Sequence, residues 1–159
     1  MDADVGVGGR RLESAGRRRG GGGQWGIVVA VGIGGGFGAV ARYAVSFALP
    51  TAVGNFPWST FAVNVSGSVV LGFLLVMVAE RFPRGRMTRA VVGTGVIGAY
   101  TTFSTFEVDA VDLIRAGRPA TAAVYVIASV VAGLVGCWAG IAGARSLSAD
   151  GARYRRREP

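Results

Sequence analysis

Apolar residues along the chain are gathered into four long runs, at 26–48, 58–80, 88–115 and 119–143, separated by short polar stretches. A helix needs about 20 predominantly apolar residues to cross the hydrocarbon core of a bilayer. The first, second and fourth runs fit one crossing each, and the third is longer. The pattern predicts an all-α integral membrane protein with four transmembrane helices.

The third run contains a polar, glycine-containing stretch near its centre, GVIGAYTTFSTF. Non-helical backbone at membrane depth survives only where it is buried in protein or lines a cavity. Broken helices also direct backbone carbonyls and helix ends toward ions. We therefore predict that the third helix is broken at its centre, near Gly98–Thr101, and that the break belongs to a transport site.

The flanks of the apolar runs are polar and rich in arginine. Residues 1–24 hold too few apolar side chains to form a core, so we predict a disordered cytoplasmic tail there. We predict a four-helix transmembrane domain over 25–145 and a second basic cytoplasmic tail over 146–159.

All 17 basic residues are arginine, and their placement predicts the orientation of the chain. With four crossings, fourteen lie on the side of both tails and the 81–89 region, and two, Arg115 and Arg118, lie on the other. By the positive-inside rule both termini are cytoplasmic, in a cell inner (plasma) membrane. Because the arginines surround all the predicted cytoplasmic segments, orientation explains them better than nucleic-acid binding does.

The composition also excludes several kinds of catalytic and metal-binding chemistry. The chain has no histidine and one cysteine, Cys137, which lies in an apolar run. It therefore lacks the usual acid–base group at neutral pH and cannot form a disulfide or a thiolate metal site within one chain. We predict that the protein is not an enzyme.

Polar side chains form stripes on the second and fourth predicted helices. Thr60, Asn64 and Ser68 are four residues apart, and Tyr125 and Ser129 repeat that spacing. Such stripes can be hydrogen bonds between helices, worth about 1 kcal/mol or less each, or they can line a pore. The spacing alone leaves both interpretations open.

The segment after the predicted break combines hydroxyls with an aromatic pair. Ser104 and Thr105 stand between Phe103 and Phe106, whose spacing puts both rings on one helix face. Aromatic edges carry partial positive charge, and hydroxyl donors can replace part of the hydration shell of an anion. Core packing is the alternative for the two rings. A site of such neutral groups would hold a small anion without trapping it.

Charged residues within the apolar runs are few. Arg42, in the first run, either snorkels to the interface or attracts anions in a vestibule, and we weigh the two equally. Glu107, Asp109 and Asp112 follow the phenylalanine pair, and we expect them to be solvated charges.

Three segments carry a family resemblance: GGGFGAVARY, STFAVNVSGSVVLG and GVIGAYTTFSTF. With the helix count they resemble the fluoride-specific channel family (Fluc/CrcB) over residues 26–143. The resemblance implies an antiparallel dimer of four-helix subunits with two fluoride pores. It also implies a structural Na⁺ at the dimer interface, bound here by the backbone carbonyls of Gly98 and Thr101.

The resemblance also implies roles for single residues. Asn64 looks like the pore-lining amide, and Phe103 and Phe106 look like the aromatic pair beside the ions. The implied polar track and its neighbours are Ser104, Thr105, Tyr125 and Ser129, together with Thr60 and Ser68 from the stripe of Asn64. Arg42 matches the arginine of the first helix in the family. Asp109 stands where the family usually has Glu, and Gly133 where a further hydroxyl is often found.

The implied function is passive fluoride export through a channel in the lipid bilayer. Hydrogen fluoride enters as a neutral acid and dissociates inside, and an inside-negative potential favours exit of the anion by about 2.3 kcal/mol per 100 mV. A proton-coupled exporter of the small multidrug type is the alternative, but it would need a carboxylate in the first helix, and 26–48 holds none. A non-transporting membrane scaffold is a third class.

The arginine bias adds an expectation about assembly. An antiparallel homodimer needs a chain that inserts in both orientations, and therefore a nearly balanced arginine distribution. The distribution here is strongly one-sided. We therefore hypothesise an antiparallel heterodimer with an oppositely oriented paralogue.

Overall fold

The computed structural model describes residues 22–52, 54–81 and 86–155, and every regular element in these ranges is helical. The elements are α1 (Gly22–Ala48), α2 (Trp58–Arg81), α3 (Arg86–Arg89), a π-helix (Ala90–Ile97), α4 (Gly98–Tyr100), α5 (Phe103–Arg115) and α6 (Pro119–Arg155). Residues 1–21 and 156–159 of the predicted tails lie outside the described residues. The predicted all-α class is confirmed.

Three of these helices are long and apolar enough to cross a membrane: Gln24–Ala48, Trp58–Glu80 and Pro119–Leu147. They correspond to the first, second and fourth apolar runs. Their outward faces are strongly exposed, as Phe37 and Phe47 on α1 and Leu134 and Trp138 on α6 show. Such faces suit hydrocarbon or another protein surface rather than water.

The third run is a broken helix, as predicted. α3, the π-helix and α4 follow one another without a gap as far as Tyr100. The backbone then becomes extended at Thr101 and Thr102, with ψ of 159° and 123°, before α5 begins at Phe103. The prediction placed the break near Gly98–Thr101. The structure places it at the end of that interval, at Thr101 and Thr102, because Thr102 is already the N-cap of α5.

Glycines bring the helix backbones into direct contact. α1 packs on the π-helix and α4, α2 packs along α6, and α5 packs on the start of α6. A Cβ atom placed on three of these glycines would overlap a backbone carbonyl of the facing helix: Gly38 against Val96, Gly72 against Cys137, and Gly140 against Val69. Small residues allow this close approach in membranes, where van der Waals packing drives helix association.

A tight turn places α6 against α5. Gly117 has a φ of +73°, and Arg118 N donates to Leu113 O while Gly117 N donates to Ile114 O. This pair of bonds is a Schellman motif, which closes a helix with a left-handed glycine. The chain therefore reverses at once, and α6 returns along α5 with Tyr125 fully buried beside Leu113.

Candidate functional site

Asn64 connects α2 to the break in the third helix. Its Nδ2 donates to Thr102 O at 3.0 Å, and Thr102 N donates to its Oδ1 at 2.9 Å. The break leaves Thr102 N without a helical acceptor, and Asn64 Oδ1 supplies one, while Asn64 Nδ2 adds a second donor to the N-cap carbonyl of α5. A carboxamide has two N–H donors, so one of them remains for a ligand beside the break.

Thr102 belongs to the candidate site, although it is absent from the residues predicted for the pore. Its Oγ1 accepts from Thr105 N at 3.2 Å, donates to Thr105 Oγ1 at 3.0 Å and lies 3.4 Å from Ser104 Oγ. It is the N-cap of α5, which the threonine ahead of the phenylalanines could have indicated. The predicted hydroxyls of Ser104 and Thr105 therefore cluster at the N-terminus of α5, where the helix dipole favours negative charge.

The two phenylalanines touch but have different surroundings. Their ring centroids are 5.9 Å apart, so the predicted shared face is present. Phe106 is partly buried, with its centroid 5.2 Å from that of Tyr125. Phe103 is 70% exposed. Core packing therefore accounts for Phe106, while Phe103 is free to contact a ligand or a second subunit.

A groove of about 250 Å³ follows the break on the surface of the described chain. We call it the break groove, and its lining residues are Asn64, Gly67, Ser68, Leu71, Thr101, Thr102 and Phe103. It combines an amide, several hydroxyls and an aromatic ring, and it has no charged side chain. Of the residues predicted for the pore, the groove contains Asn64, Ser68 and Phe103. The other predicted pore residues do not line it: Thr60, Ser104, Thr105, Phe106, Tyr125 and Ser129.

Asp109 joins the polar stripes of α2 and α6. Thr60 Oγ1 donates to Asp109 Oδ2 at 2.6 Å, and the Tyr125 hydroxyl donates to the same oxygen at 3.4 Å. The expectation of a solvated charge is wrong for Asp109, which is half-buried. It holds for Glu107 and Asp112, which are exposed. The hydroxyls of Thr60 and Tyr125, predicted in the pore, are directed at this carboxylate.

An Asp109→Ala variant is expected to lose about 1–3 kcal/mol of stability, because two buried hydroxyls lose their acceptor. Asp112→Ala is the matched control, since Asp112 only forms an exposed pair with Arg115 at 3.7 Å, worth about 0–1 kcal/mol. The midpoint of unfolding in detergent measures both. Equal midpoints for the two variants would contradict the role given to Asp109.

Ser129 is the buried polar side chain that the described chain leaves unsatisfied. It is 9% exposed, and its Oγ has no hydrogen-bond partner among the described residues. A buried hydroxyl without a partner is costly, so its retention points to a ligand that supplies the missing acceptor. An unpaired hydroxyl on α6 is consistent with the predicted polar track there, and the track stays a prediction.

Arg42 lies at a pocket of about 220 Å³ beside the N-terminus of α5. The pocket is lined by the hydroxyls of Ser46, Thr60, Thr102 and Thr105 and by Tyr43. In the part of the chain that the structure describes, Arg42 forms no ion pair. A cation among hydroxyls, at the positive end of a helix, makes this pocket an attractive entrance for an anion.

The carbonyls proposed to bind Na⁺ belong to the turn that ends at the break. Thr101 N donates to Ile97 O at 3.0 Å and closes the last helical turn. Thr102 N, the usual helical donor to Gly98 O, donates to Asn64 instead. The carbonyls of Gly98 and Thr101 therefore lie at the negative end of a helix without regular helical donors, a donor set that fits a hard cation.

Comparison with known proteins gives a family. The family model described as CrcB-like protein, Camphor Resistance (CrcB), matches residues 29–141. A relative from Streptomyces avermitilis, named fluoride-specific ion channel FluC 2, is 46% identical over 68% of this chain and 68% of its own. Proteins of the same name from Geobacillus kaustophilus and Nitrobacter hamburgensis are 41% and 45% identical over 79% and 73% of this chain, and over 98% and 94% of their own lengths.

The matched region contains all the residues of the candidate site, from Arg42 to Ser129. The identity is high and the matches cover nearly the whole of two relatives. They confirm the resemblance drawn from the three motifs, and with the span-capable helices they identify a multi-pass membrane protein. The chain belongs to the CrcB-like family.

Proposed function

We propose that this protein is a fluoride-selective passive ion channel, which lowers cytoplasmic fluoride by letting the anion leave down its electrochemical gradient. Relatives that cover most of the chain are named fluoride-specific ion channels. Their names support a channel and not an enzyme. The observation that carries the proposal is the buried Ser129 hydroxyl, which has no acceptor among the described residues and lies on the same helix face as Tyr125.

Selectivity would come from neutral donors arranged along the chain's own helices. Fluoride is small and strongly hydrated, so it needs close hydrogen-bond donors to replace lost water. Ser129, the free N–H of Asn64 and the edge of the exposed Phe103 ring supply such groups. Larger anions such as chloride would gain less from these short, directional contacts. None of the three groups carries a charge that would trap the anion.

A second subunit would complete the path. The break groove lies open on the surface of a single chain, and Phe103 exposes most of its ring there. We propose four crossings per chain, counting the broken helix as one, and an antiparallel dimer that covers the groove. Paired Gly98 and Thr101 carbonyls from two chains would bind a structural Na⁺ between them, because one chain offers too few oxygens for a coordination sphere.

Orientation follows from the arginines. Fourteen lie on one side of the proposed topology and two on the other, which supports cytoplasmic termini in a cell inner membrane. So one-sided a distribution of arginines disfavours insertion of the chain in both orientations. We therefore propose that the antiparallel partner is an oppositely oriented paralogue, and that the assembly is a heterodimer.

The competing transport mechanism has less support. A proton-coupled exporter of the small multidrug type would need a titratable carboxylate in its first helix, and Gln24–Ala48 contains none. A scaffold would not need an unsatisfied hydroxyl such as that of Ser129. A passive path suffices for export, since the membrane potential alone favours anion exit by about 2.3 kcal/mol per 100 mV.

Fluoride efflux from liposomes that contain the purified protein tests the proposal, with chloride efflux as the control. We expect fast fluoride release and little chloride release from the protein with its paralogue. Fast release from this chain alone would support the channel and refute the obligate heterodimer. If no fluoride is released, either by this chain alone or by the chain with its co-expressed paralogue, the channel is refuted.

A further inference from the structure

A second hydrogen bond joins the third helix to α2, besides those of Asn64. The Tyr100 hydroxyl lies 2.9 Å from Ser66 Oγ. Ser66 Oγ also donates to Ala62 O at 2.6 Å. Because a serine hydroxyl has one hydrogen, and Ala62 O receives it, Tyr100 is the donor to Ser66. Two hydrogen bonds in series therefore connect the last residue of α4 to the backbone of α2.

Asn64 and Ser66 reach the third helix from opposite sides of α2. They are two residues apart, which is about 200° around the helix axis. Gly67 faces the third helix between them, and a Cβ atom there would overlap the side chain of Thr101. The third helix therefore crosses α2 at a glycine, with the bonds of Asn64 on one side of the crossing and the bond between Ser66 and Tyr100 on the other.

The bond between Ser66 and Tyr100 lies at membrane depth. Ser66 lies about 12 Å beyond Trp58 along α2, in the central part of the Trp58–Glu80 span. Lipid offers no hydrogen-bond partner in this region, so a tyrosine hydroxyl that loses its acceptor stays unpaired. The bond therefore holds Tyr100 in place more firmly than the same bond would at a surface in contact with water.

Two carbonyls of this segment are the proposed ligands of the structural Na⁺, and they are held differently. Thr101 O belongs to the same peptide unit as Thr102 N, which Asn64 binds directly. Gly98 O lacks that donor, because Thr102 N is directed at Asn64 instead. Tyr100 lies between the two carbonyl residues, and its hydroxyl is bonded to α2. Asn64 therefore fixes the direction of the Thr101 carbonyl, and the bond of Tyr100 is left to fix that of Gly98.

We propose, building on the proposed channel and its structural Na⁺, that Ser66 and Tyr100 are positioning residues for the cation. Their hydrogen bond fixes the turn Gly98–Thr101 against α2 and thereby keeps the Gly98 carbonyl directed at the ion. A hard cation needs its oxygen ligands at short, defined distances, and a backbone carbonyl cannot adjust its position by changing rotamer. Loss of the bond therefore weakens Na⁺ binding without removing any ligand atom.

Tyr100→Phe tests this role, because it keeps the ring and removes the hydroxyl. The readout is the unfolding midpoint of the assembled protein in detergent, titrated with Na⁺ against N-methylglucamine at constant ionic strength. We expect the Na⁺ concentration of half-maximal stabilisation to rise about threefold to tenfold, the range of one hydrogen bond inside a membrane. Ser66→Ala should give the same rise.

Two further variants show whether the hydrogen bond itself is responsible. S66A/Y100F should raise the half-maximal Na⁺ concentration no further than either single variant, because all three variants lack the same bond. Ser66→Thr keeps a hydroxyl on Cβ and should keep the native Na⁺ response.

Ser146→Ala is the matched control. It removes a serine hydroxyl that donates to a backbone carbonyl of its own helix, Gly143 O, as that of Ser66 does to Ala62 O, and it lies in the C-terminal third of α6. It should keep the native Na⁺ response. At saturating Na⁺, fluoride efflux through Tyr100→Phe should equal the native rate, because none of the proposed fluoride ligands is changed.

An unchanged half-maximal Na⁺ concentration in Tyr100→Phe and Ser66→Ala refutes the proposal, even if both variants unfold at a lower midpoint without Na⁺, since that would be an effect on packing alone. Additive shifts in the double variant refute the bond as their cause. A native midpoint that does not respond to Na⁺ refutes the cation site together with its positioning residues. A native assembly whose midpoint responds to Na⁺ but which releases no fluoride refutes the channel alone.

Discussion

An Asn64→Ala variant is expected to lose fluoride efflux and to unfold more readily than the native protein. The substitution removes the acceptor of Thr102 N and the donor to Thr102 O in one step. Thr102 O keeps the helical donor of an N-cap carbonyl, but Thr102 N is left unpaired, which costs about 1–3 kcal/mol away from water. The break would then lose the side chain that fixes its geometry, and the hydroxyls capping α5 would move with it. Efflux from liposomes and the unfolding midpoint in detergent measure the two effects.

Asn64→Asp separates the two bonds. A carboxylate still accepts from Thr102 N, but its second oxygen faces Thr102 O and has no hydrogen to donate. We expect this variant to conduct no fluoride as well, since it also places a negative charge in the break groove. Asn55→Ala is the control, because Asn55 is an exposed loop residue. If Asn64→Ala releases fluoride at the native rate, the hydrogen bonds between Asn64 and Thr102 are not needed for conduction.

A Gly140→Ala variant is expected to prevent stable packing of α6 on α2. Its methyl group would overlap Val69 O and come within 2.8 Å of Phe73 N, and neither backbone group can rotate away. Overpacking in a dense interior costs about 1–3 kcal/mol, and rigid backbone neighbours place this case at the upper end. We expect loss of the monodisperse peak in size-exclusion chromatography, and with it loss of efflux.

Gly143→Ala is the matched control for that effect. It lies one turn further on the same helix, and its added Cβ would meet nothing within 4 Å. It should therefore give native yield and a native elution profile. If both variants elute alike, the close approach of α2 and α6 at Gly140 is incorrect.

The sequence predicted the helices well because a membrane span has a strong one-dimensional pattern. Both ends of the second run lie within one residue of the ends of α2, and the third run ends at 115, where α5 ends. The fourth run ends at 143, whereas α6 continues to Arg155. Pro57 ahead of α2 and Gly117 after α5 explain the agreement for the second and third runs, since both residues mark helix boundaries chemically. The existence of the break was predictable for a similar reason, from hydroxyls and glycine inside an apolar run.

The pairing of side chains across helices was not predictable from periodicity. A four-residue spacing shows that Thr60, Asn64 and Ser68 share a face, but not which residues they meet. The bonds from Asn64 to Thr102 and from Thr60 to Asp109 span 38 and 49 residues of chain. Spacing alone therefore predicts a solvated charge at Asp109, whereas two hydroxyls converge on it in the structure.

The π-helix was also missed. Gly98 N donates back to Gly93 O, five residues earlier, and no apolar pattern in 90–97 distinguishes this spacing from that of an ordinary helix. The contact that accompanies it is with another helix: a Cβ on Gly95 would lie 2.8 Å from Val31 O of α1. Such a contact depends on the neighbouring helix, which the local sequence does not reveal.

The length of α6 has a practical consequence for imaging. Its 37 residues make a rod of about 55 Å, while the hydrocarbon core is about 30 Å thick. Roughly 25 Å of continuous helix therefore extends past the core. A fiducial protein whose first helix is joined in register to Arg155 would share this rod and rotate as one body with it. A 16.3 kDa membrane protein would thereby gain a rigid feature for particle alignment.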